Sequence, residues 1–260
     1  MIASSQREAL EQLQTLANSN RQSVLIVGPS GSGKSYLAQQ YANMLSISDY
    51  GTVEPKVSEI REALDSCNNI TNPLMLEIKN LDIGVAAASY TILKSLEEPA
   101  PNMYLVITCR NIDQIPDTII SRSALINIGP PTDDDIDAYG AEKDRLKFSN
   151  IASRLVWQCV RSFSEADAAL EMTPDEIEYY ESLSEVCKFK DSVSNIVWKL
   201  GHYDSNKECN VELAIRSVAE LMHKPVITKA AIDCIRDLNR GRIAQHAVLA
   251  KFVFTAKYWE

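Results

Sequence analysis

The chain has 260 residues, 45% hydrophobic and 23% charged, and its 35 acidic side chains outnumber 26 basic ones for a net charge of −9. This is the composition of an ordinary globular protein, long enough for one large domain or two to three small ones. The acidic balance argues against tight nucleic-acid binding by the chain alone, since phosphate contacts need Lys and Arg, but allows a few contacts from within a larger assembly.

No apolar run approaches the roughly eighteen residues of a membrane span, and the polar N-terminus is no signal peptide. A cytoplasmic chain is expected. Cys67, Cys109, Cys159, Cys187, Cys209 and Cys234 are scattered without a C-x-x-C pair, which reads as reduced thiols rather than a disulfide frame or zinc site. His202, His223 and His246 offer no ligand spacing. Residues 130–190 carry fourteen acidic and seven basic side chains, whereas 221–260 carry three and seven. The first reads as a solvated acidic face and the second as a possible electrostatic docking surface.

In chain order, residues 5–18 place Ala9, Leu10, Leu13 and Leu16 on one face of a predicted helix. Ser23 to Val27 is a run of apolar or small residues, read as a buried strand. Gly28-Pro29-Ser30-Gly31-Ser32-Gly33-Lys34-Ser35 then fits G-x-x-x-x-G-K-[ST] without a mismatch. Beyond it Leu37, Ala38, Tyr41, Ala42 and Leu45 recur at helical spacing. A strand, a glycine-rich turn and a helix N-terminus make a polyphosphate cradle, because glycines let N–H groups turn inward and the helix dipole favours negative charge. Gly28 through Tyr36 is therefore the candidate binding stretch for ATP. Lys34 is expected to reach the β- and γ-phosphates, and the Ser35 hydroxyl to ligate Mg²⁺.

A short strand is expected near Thr52-Val53, and Pro55 introduces a helical pattern from Val57 to Cys67 with Ile60, Ala63 and Leu64 inward. Leu74 to Ile78 reads as a strand, and residues 85–98 as a helix stopped by Pro99. Met103 to Thr108 is a strong strand, a short helix surrounds Thr118 to Ile120, and Ala124 to Ile128 is the last strand. Strands alternating with helices imply a parallel sheet covered on both faces. After Gly129-Pro130-Pro131 no convincing strand appears. Asp133-Asp134-Asp135 is expected to cap a helix from Ile136, and further helical stretches fall at about 150–163, 174–188, 192–201, 209–222, 228–238 and 241–257. The expected class is an α/β nucleotide-binding domain followed by an all-helical part.

Ile92-Leu93-Lys94-Ser95-Leu96-Glu97-Glu98-Pro99 resembles the L-L-K-x-L-E-E-P signature of clamp-loader ATPases in the AAA+ superfamily. Tyr104 to Thr108, then Ile115-Pro116 and Thr118-Ile119-Ile120-Ser121-Arg122, are similar to that family's sensor-1 strand and S-R-C motif, with Ser123 in place of the cysteine. The Pro-Pro-Thr passage at 130–132 is similar to the start of its lid. The likeness covers residues 21–140 and is strongest to small subunits of the bacterial delta-prime type or a phage counterpart. It implies an AAA+ domain over 1–128, a helical lid over 129–190 and a short collar-like region over 191–260.

It also implies that the chain is an ATP-binding subunit of an assembly that opens a sliding clamp and loads it onto primed DNA. The partners would be other clamp-loader subunits, the clamp and primer–template DNA. Thr108 would orient water against the γ-phosphate, and Arg122 would be an arginine finger reaching a neighbour's ATP. Arg61 and Lys94 are candidate DNA-phosphate contacts; solvated helix charges are the plainer reading.

The chain departs from the family where hydrolysis is concerned. Counted back from Pro99, the two Walker B acids fall on Lys79 and Asn80, neither of which ligates Mg²⁺ or acts as a base. Asp82 survives as an alternative metal ligand, and Glu77 substitutes only if the strand shifts by two residues, a shift that keeps its facing. No sensor-2 arginine is evident, because Ser164 to Leu170 falls where the family places a basic residue. Nucleotide binding is thus expected, with hydrolysis weak or dependent on the assembly. Rival readings are a standalone AAA+ ATPase of the helicase-loader or remodelling type, and a non-hydrolysing structural subunit.

Overall fold

Strands that are apolar on both sides must be covered on both sides, and this rule organises the first half of the chain. The computed structural model describes residues 3–67, 71–84, 86–152, 154–186, 192–204, 207–208, 210–240 and 244–258. Helices α1 (Arg7–Asn18), α2 (Lys34–Met44), α3 (Val57–Cys67), α4 (Ala86–Glu97) and α5 (Asp117–Ile120) alternate with strands β1 (Ser23–Val27), β2 (Asp49–Val53), β3 (Leu74–Ile78), β4 (Met103–Cys109) and β5 (Ala124–Asn127). The five strands form one sheet in the order β2-β3-β4-β1-β5, and every pairing is parallel.

Leu25, Leu76, Ile78, Leu105 and Ile107 point to one face and pack on Ile60, Leu64, Ile92, Leu96 and Ile119 of α3, α4 and α5. Val24, Ile26, Met75, Tyr104 and Val106 point to the other and pack on Ala9, Leu10, Leu13, Leu37, Ala38 and Tyr41 of α1 and α2. Every residue of the central strand β4 is buried. The glycine-rich loop leaves the sheet at the carboxyl end of β1, where open α/β sheets hold their ligands. Strand β2 is longer than its sequence suggested. Asp49 and Gly51 have little strand propensity, and the segment is extended because its backbone pairs with β3 at the sheet edge.

By contacts the chain divides into two compact units, Met1–Tyr139 with Arg161–Glu165, and Gly140–Val160 with Ala166–Glu260. The remaining helices are α6 (Asp133–Lys143), α7 (Arg145–Ile151), α8 (Leu155–Gln158), α9 (Phe163–Glu171), α10 (Pro174–Val186), α11 (Val193–Gly201), α12 (Val211–Met222), α13 (Pro225–Asn239) and α14 (Gln245–Tyr258). In the second unit α14 packs against α11 and α13, with Leu200, Ile215, Leu249 and Phe252 fully buried. The helical stretch expected over 150–163 is broken into α7 and α8.

The expectation of no strand after residue 128 is corrected by a small antiparallel pair, β6 (His202–Asp204) with β7 (Lys207–Glu208). Segments this short carry no readable alternation. Residues 187–188 and 241–243, at the ends of two expected helices, lie outside the described residues, as do Cys187 and Cys209. Cys67, Cys109, Cys159 and Cys234 are buried and form no disulfide among the described residues. Among the described residues no helix is long and apolar enough to cross a membrane, and no His, Cys, Asp and Glu cluster could hold a metal.

Helix α6 starts at Asp133, ahead of the expected Ile136, because Thr132 and Asp135 form a capping box. The Thr132 N–H donates to Asp135 Oδ2 at 3.1 Å, and the Asp135 N–H donates to Thr132 Oγ1 at 3.2 Å. The same carboxylate anchors the start of the chain, accepting from Ser4 N at 2.6 Å, Ser4 Oγ at 3.1 Å and Ser5 N at 3.3 Å. Burial alone raises the Asp135 pKa, but the bonds from Ser4 and Thr132 outweigh it and hold the carboxyl well below the usual carboxylate range. A depressed pKa gives stabilisation that is present above the unfolded value of about 4 and lost as pH falls through the lower folded value. Asp135→Asn is expected to cost about 1–3 kcal/mol at pH 7. The gap from wild type should narrow below about pH 4, as urea unfolding at the two pH values will show.

Candidate phosphate-binding site

The loop after β1 is fixed at both sides of its root. Gly28 N–H donates to the Cys109 carbonyl of β4 at 3.1 Å, and Ile128 N–H, beyond β5, donates to the Val27 carbonyl at 2.8 Å. A Cβ on Gly28 would lie 2.3 Å from Ile128 Cγ2, so only glycine fits this approach. Gly31 and Gly33 have φ of 68° and 90°, the left-handed region that L side chains avoid. This backbone leaves the N–H groups of Gly31, Gly33, Lys34 and Ser35 without an acceptor among the described residues. Amides left open at the N-terminus of α2 are suited to an anion, and the chain's own residues thus fit a polyphosphate.

Lys34 is buried, and its Nζ donates to the carbonyls of Gly28 at 2.8 Å and Pro29 at 2.7 Å. Burial pushes its pKa down, while the nearby charge of Asp82 acts in the opposite direction. Ser32 Oγ braces the loop on the Pro29 carbonyl at 2.8 Å. Tyr36, included in the candidate stretch, is partly exposed on the first turn of α2.

Two features remote in sequence hold the loop's outer side. Gln6 Nε2 donates to the Ser32 carbonyl at 3.0 Å, and a Cβ on Gly33 would come within 2.1 Å of the same nitrogen. The Phe163 N–H donates to the Gly31 carbonyl at 3.0 Å. The hydroxyls of Ser162 and Ser164 stand 2.5 Å from where a Gly31 Cβ would be. The stretch beginning at Ser164, which lacks a sensor-2 arginine, thus starts directly on the loop. No local pattern marks Gln6 or Phe163, because their role comes only from a contact across the fold.

The acid beside the loop is Glu77. Ser35 Oγ donates to its Oε1 at 2.6 Å and the Tyr50 hydroxyl to its Oε2 at 2.7 Å. Its side chain is completely buried, on the α2 side of the sheet with Met75 of the same strand. Lys79 and Asn80, where the counted Walker B positions fall, lie past the end of β3. The Lys79 N–H donates to the Val53 carbonyl at 3.0 Å, and Asn80 is left-handed with φ of 46°. Thr108 Oγ1 accepts the Asn80 N–H at 3.0 Å, so this hydroxyl braces the turn after β3. Asp82 accepts from Arg110 N at 3.1 Å and Nε at 3.4 Å. Tyr50 escaped the sequence reading because the edge strand carrying it was itself too weakly encoded.

Arg122 lies away from this cluster. Its carbonyl accepts from Arg21 NH2, just ahead of β1, which places it at the amino end of the parallel strands, about 15 Å of strand from the loop end. Its guanidinium is paired with Glu97 at 2.8 Å and donates to the Thr118 carbonyl at 3.0 Å. Arg61 and Lys94 are exposed on α3 and α4, which pack side by side on the other sheet face.

Residues 56–132 match the family model described as DNA polymerase III, delta subunit. That segment holds Glu77, Glu97, Thr108 and Arg122, and the glycine-rich loop precedes it. The whole chain also resembles a DNA polymerase III gamma subunit-related protein of Thermotoga maritima, with TM-score 0.56 and 14% identity over 96% of this chain and 98% of that one. The fold is that of an AAA+ protein, a parallel-sheet domain with a helical C-terminal region. Other solved structures share it at low identity. A DNA replication initiation factor has TM-score 0.55 and 12% identity over 98% of this chain and 95% of that one. The Thermotoga maritima RuvB Holliday junction branch migration motor has TM-score 0.51 and 14% identity over 95% and 80%. No curated protein sequence matches the chain.

The glycine-rich loop makes a direct stability prediction. Gly33→Ala is expected to destabilise by at least about 1–2 kcal/mol, because the left-handed backbone disfavours a Cβ and Gln6 must move. Gly129→Ala, whose methyl meets nothing within 4 Å, should stay within about 0.5 kcal/mol of wild type. Thermal unfolding of the two variants tests this.

Proposed function

We propose that this chain is an ATP-binding subunit of a clamp-loader-type assembly, which opens a sliding clamp and loads it onto primed DNA. The observation that carries the reading is the run of loop amides left without an acceptor beside the buried Ser35–Glu77 pair, on a chain whose following segment matches the delta-subunit family. The amides of Gly31, Gly33, Lys34 and Ser35 would hold the phosphates, and Lys34 Nζ would supply positive charge to them. Ser35 and Glu77 are the hard oxygen donors suited to Mg²⁺, which when bound polarises the phosphates and neutralises their charge. Glu77 takes the acid's place at its own position in β3, two residues before the counted one. Its facing is kept because strand side chains repeat every second residue.

The assignment predicts that Lys34→Ala removes most Mg·ATP binding by the full chain. Glu77→Gln should weaken the part of that binding that depends on Mg²⁺. Calorimetry with and without Mg²⁺ reads both, and equal affinity of wild type and Lys34→Ala would refute the site.

Turnover by the isolated chain should be slow, below the ordinary enzyme range of about 1–10³ s⁻¹. No carboxylate follows Glu77 at the strand end, and the Thr108 hydroxyl is engaged by Asn80. That observation favours a subunit in which nucleotide acts as structural glue over a standalone ATPase.

A trans role for Arg122 is supported by its placement at the opposite end of the strands. No side chain spans that separation, so its guanidinium would serve a neighbouring subunit's phosphates, for which a planar fork is suited. Arg122→Ala should leave nucleotide affinity of the isolated chain unchanged within about 0.5 kcal/mol. In the reconstituted assembly it should lower ATPase rate, with little rescue by Arg122→Lys. Weakened binding by the isolated chain, or full activity of the mutant assembly, would refute the finger. Arg61 and Lys94, exposed on neighbouring helices, would contribute phosphate contacts to primer–template DNA only when that assembly encloses it.

A further inference from the structure

The phosphate site has a cation that no motif identified. Arg110 directly follows β4, whose last residue, Cys109, accepts the N–H of Gly28 through its carbonyl. The arginine therefore begins beside the root of the glycine-rich loop. Its backbone and Nε are both held by Asp82, in the turn after β3. The Asp82 side chain is 2% exposed and that of Arg110 46%. Among the described residues the two terminal guanidinium nitrogens have no acceptor.

Both charges act on Lys34 as well. Burial lowers the Lys34 pKa most, the charge of Asp82 raises it and that of Arg110 lowers it further. A buried carboxylate thus pairs with Arg110, the residue that follows the strand end on which the loop root is bonded, and its charge acts on Lys34. The pair is long at 3.4 Å and open to solvent on the arginine side, where an ion pair contributes little. A phosphate dianion is a stronger acceptor for a guanidinium than a single carboxylate oxygen at that distance.

We propose that Arg110 is a specificity residue for the terminal phosphate, restrained by Asp82, so that the chain distinguishes a nucleoside triphosphate from a diphosphate. Resting on the nucleotide-binding reading above, this places a cis cation at the phosphate end although Ser164 to Leu170 supplies none. The guanidinium exchanges part of its contact with Asp82 for the third phosphate. A diphosphate leaves the Asp82–Arg110 pair undisturbed. Asp82 sets the threshold, because weakening its hold makes the guanidinium more available.

The test is calorimetry of the full chain with Mg·ATP and Mg·ADP, alongside thermal unfolding of each variant. Arg110→Gln should lower ATP affinity about tenfold or more and ADP affinity less than about twofold. Asp82→Asn retains an acceptor for the Arg110 backbone, and should raise ATP affinity about two- to fivefold without changing that for ADP. A change in the ATP-to-ADP ratio is a readout that a merely structural ion pair would not move. Equal losses for both nucleotides in Arg110→Gln, or no loss, overturn the proposal while leaving nucleotide binding intact. If the wild-type chain binds neither nucleotide, or Lys34→Ala binds both as wild type does, the nucleotide reading itself fails and takes the proposal with it.

Discussion

A fully buried carboxylate held by two hydroxyls ties the site to the sheet. Glu77 lies in β3, Ser35 in the first turn of α2 and Tyr50 in the edge strand β2, and their hydrogen bonds close at 2.6 and 2.7 Å. An acid stripped of water must find donors or cations. Here the donors fix the start of α2 against the sheet and draw β2 to the same point. The glycine-rich loop then has a defined floor, with Lys34 near enough to Glu77 for their charges to interact. Loop, helix and acid form one polar unit inside an otherwise apolar layer.

The outer side of the loop depends on chain segments far from it. Gln6 braces the Ser32 carbonyl and Phe163 the Gly31 carbonyl. Asp135 holds the segment carrying Gln6 by accepting from Ser4 and Ser5. The loop's conformation is therefore shared among its own glycines, the first residues of the chain and a turn more than a hundred residues later. The parallel sheet brings these parts together because its central strands β1 and β4 lie adjacent, with the loop leaving at their carboxyl end.

Charge is separated along the same sheet. The cations Lys34 and Arg110 lie at the carboxyl end of the strands, whereas Arg21 and Arg122 lie at the amino end, linked through the Arg122 carbonyl. Each arginine with a proposed role at a nucleotide phosphate is held by a carboxylate, Arg110 by Asp82 and Arg122 by Glu97. These pairs differ in burial. Asp82 is nearly inaccessible and Glu97 about half exposed, so screening by salt acts mainly on the second.

By itself the sequence determined whatever depends on local spacing. In the octapeptide Gly28–Ser35, Gly31 and Gly33 hold left-handed backbone angles that other residues rarely adopt, and the apolar runs of β1, β3 and β4 require cover on both faces. The spacing of Arg122 after β4 located it beyond a short helix, and the parallel topology turned that position into the opposite end of the sheet. The tertiary structure alone decided which acid meets Ser35. Counting along the chain led to Lys79 and Asn80, but a strand ends where its pairing ends, and Glu77 is the residue whose side chain reaches the loop. Tyr50, Gln6, Phe163 and Arg110 were likewise invisible, since no period or motif records a contact between residues brought together only by strand order.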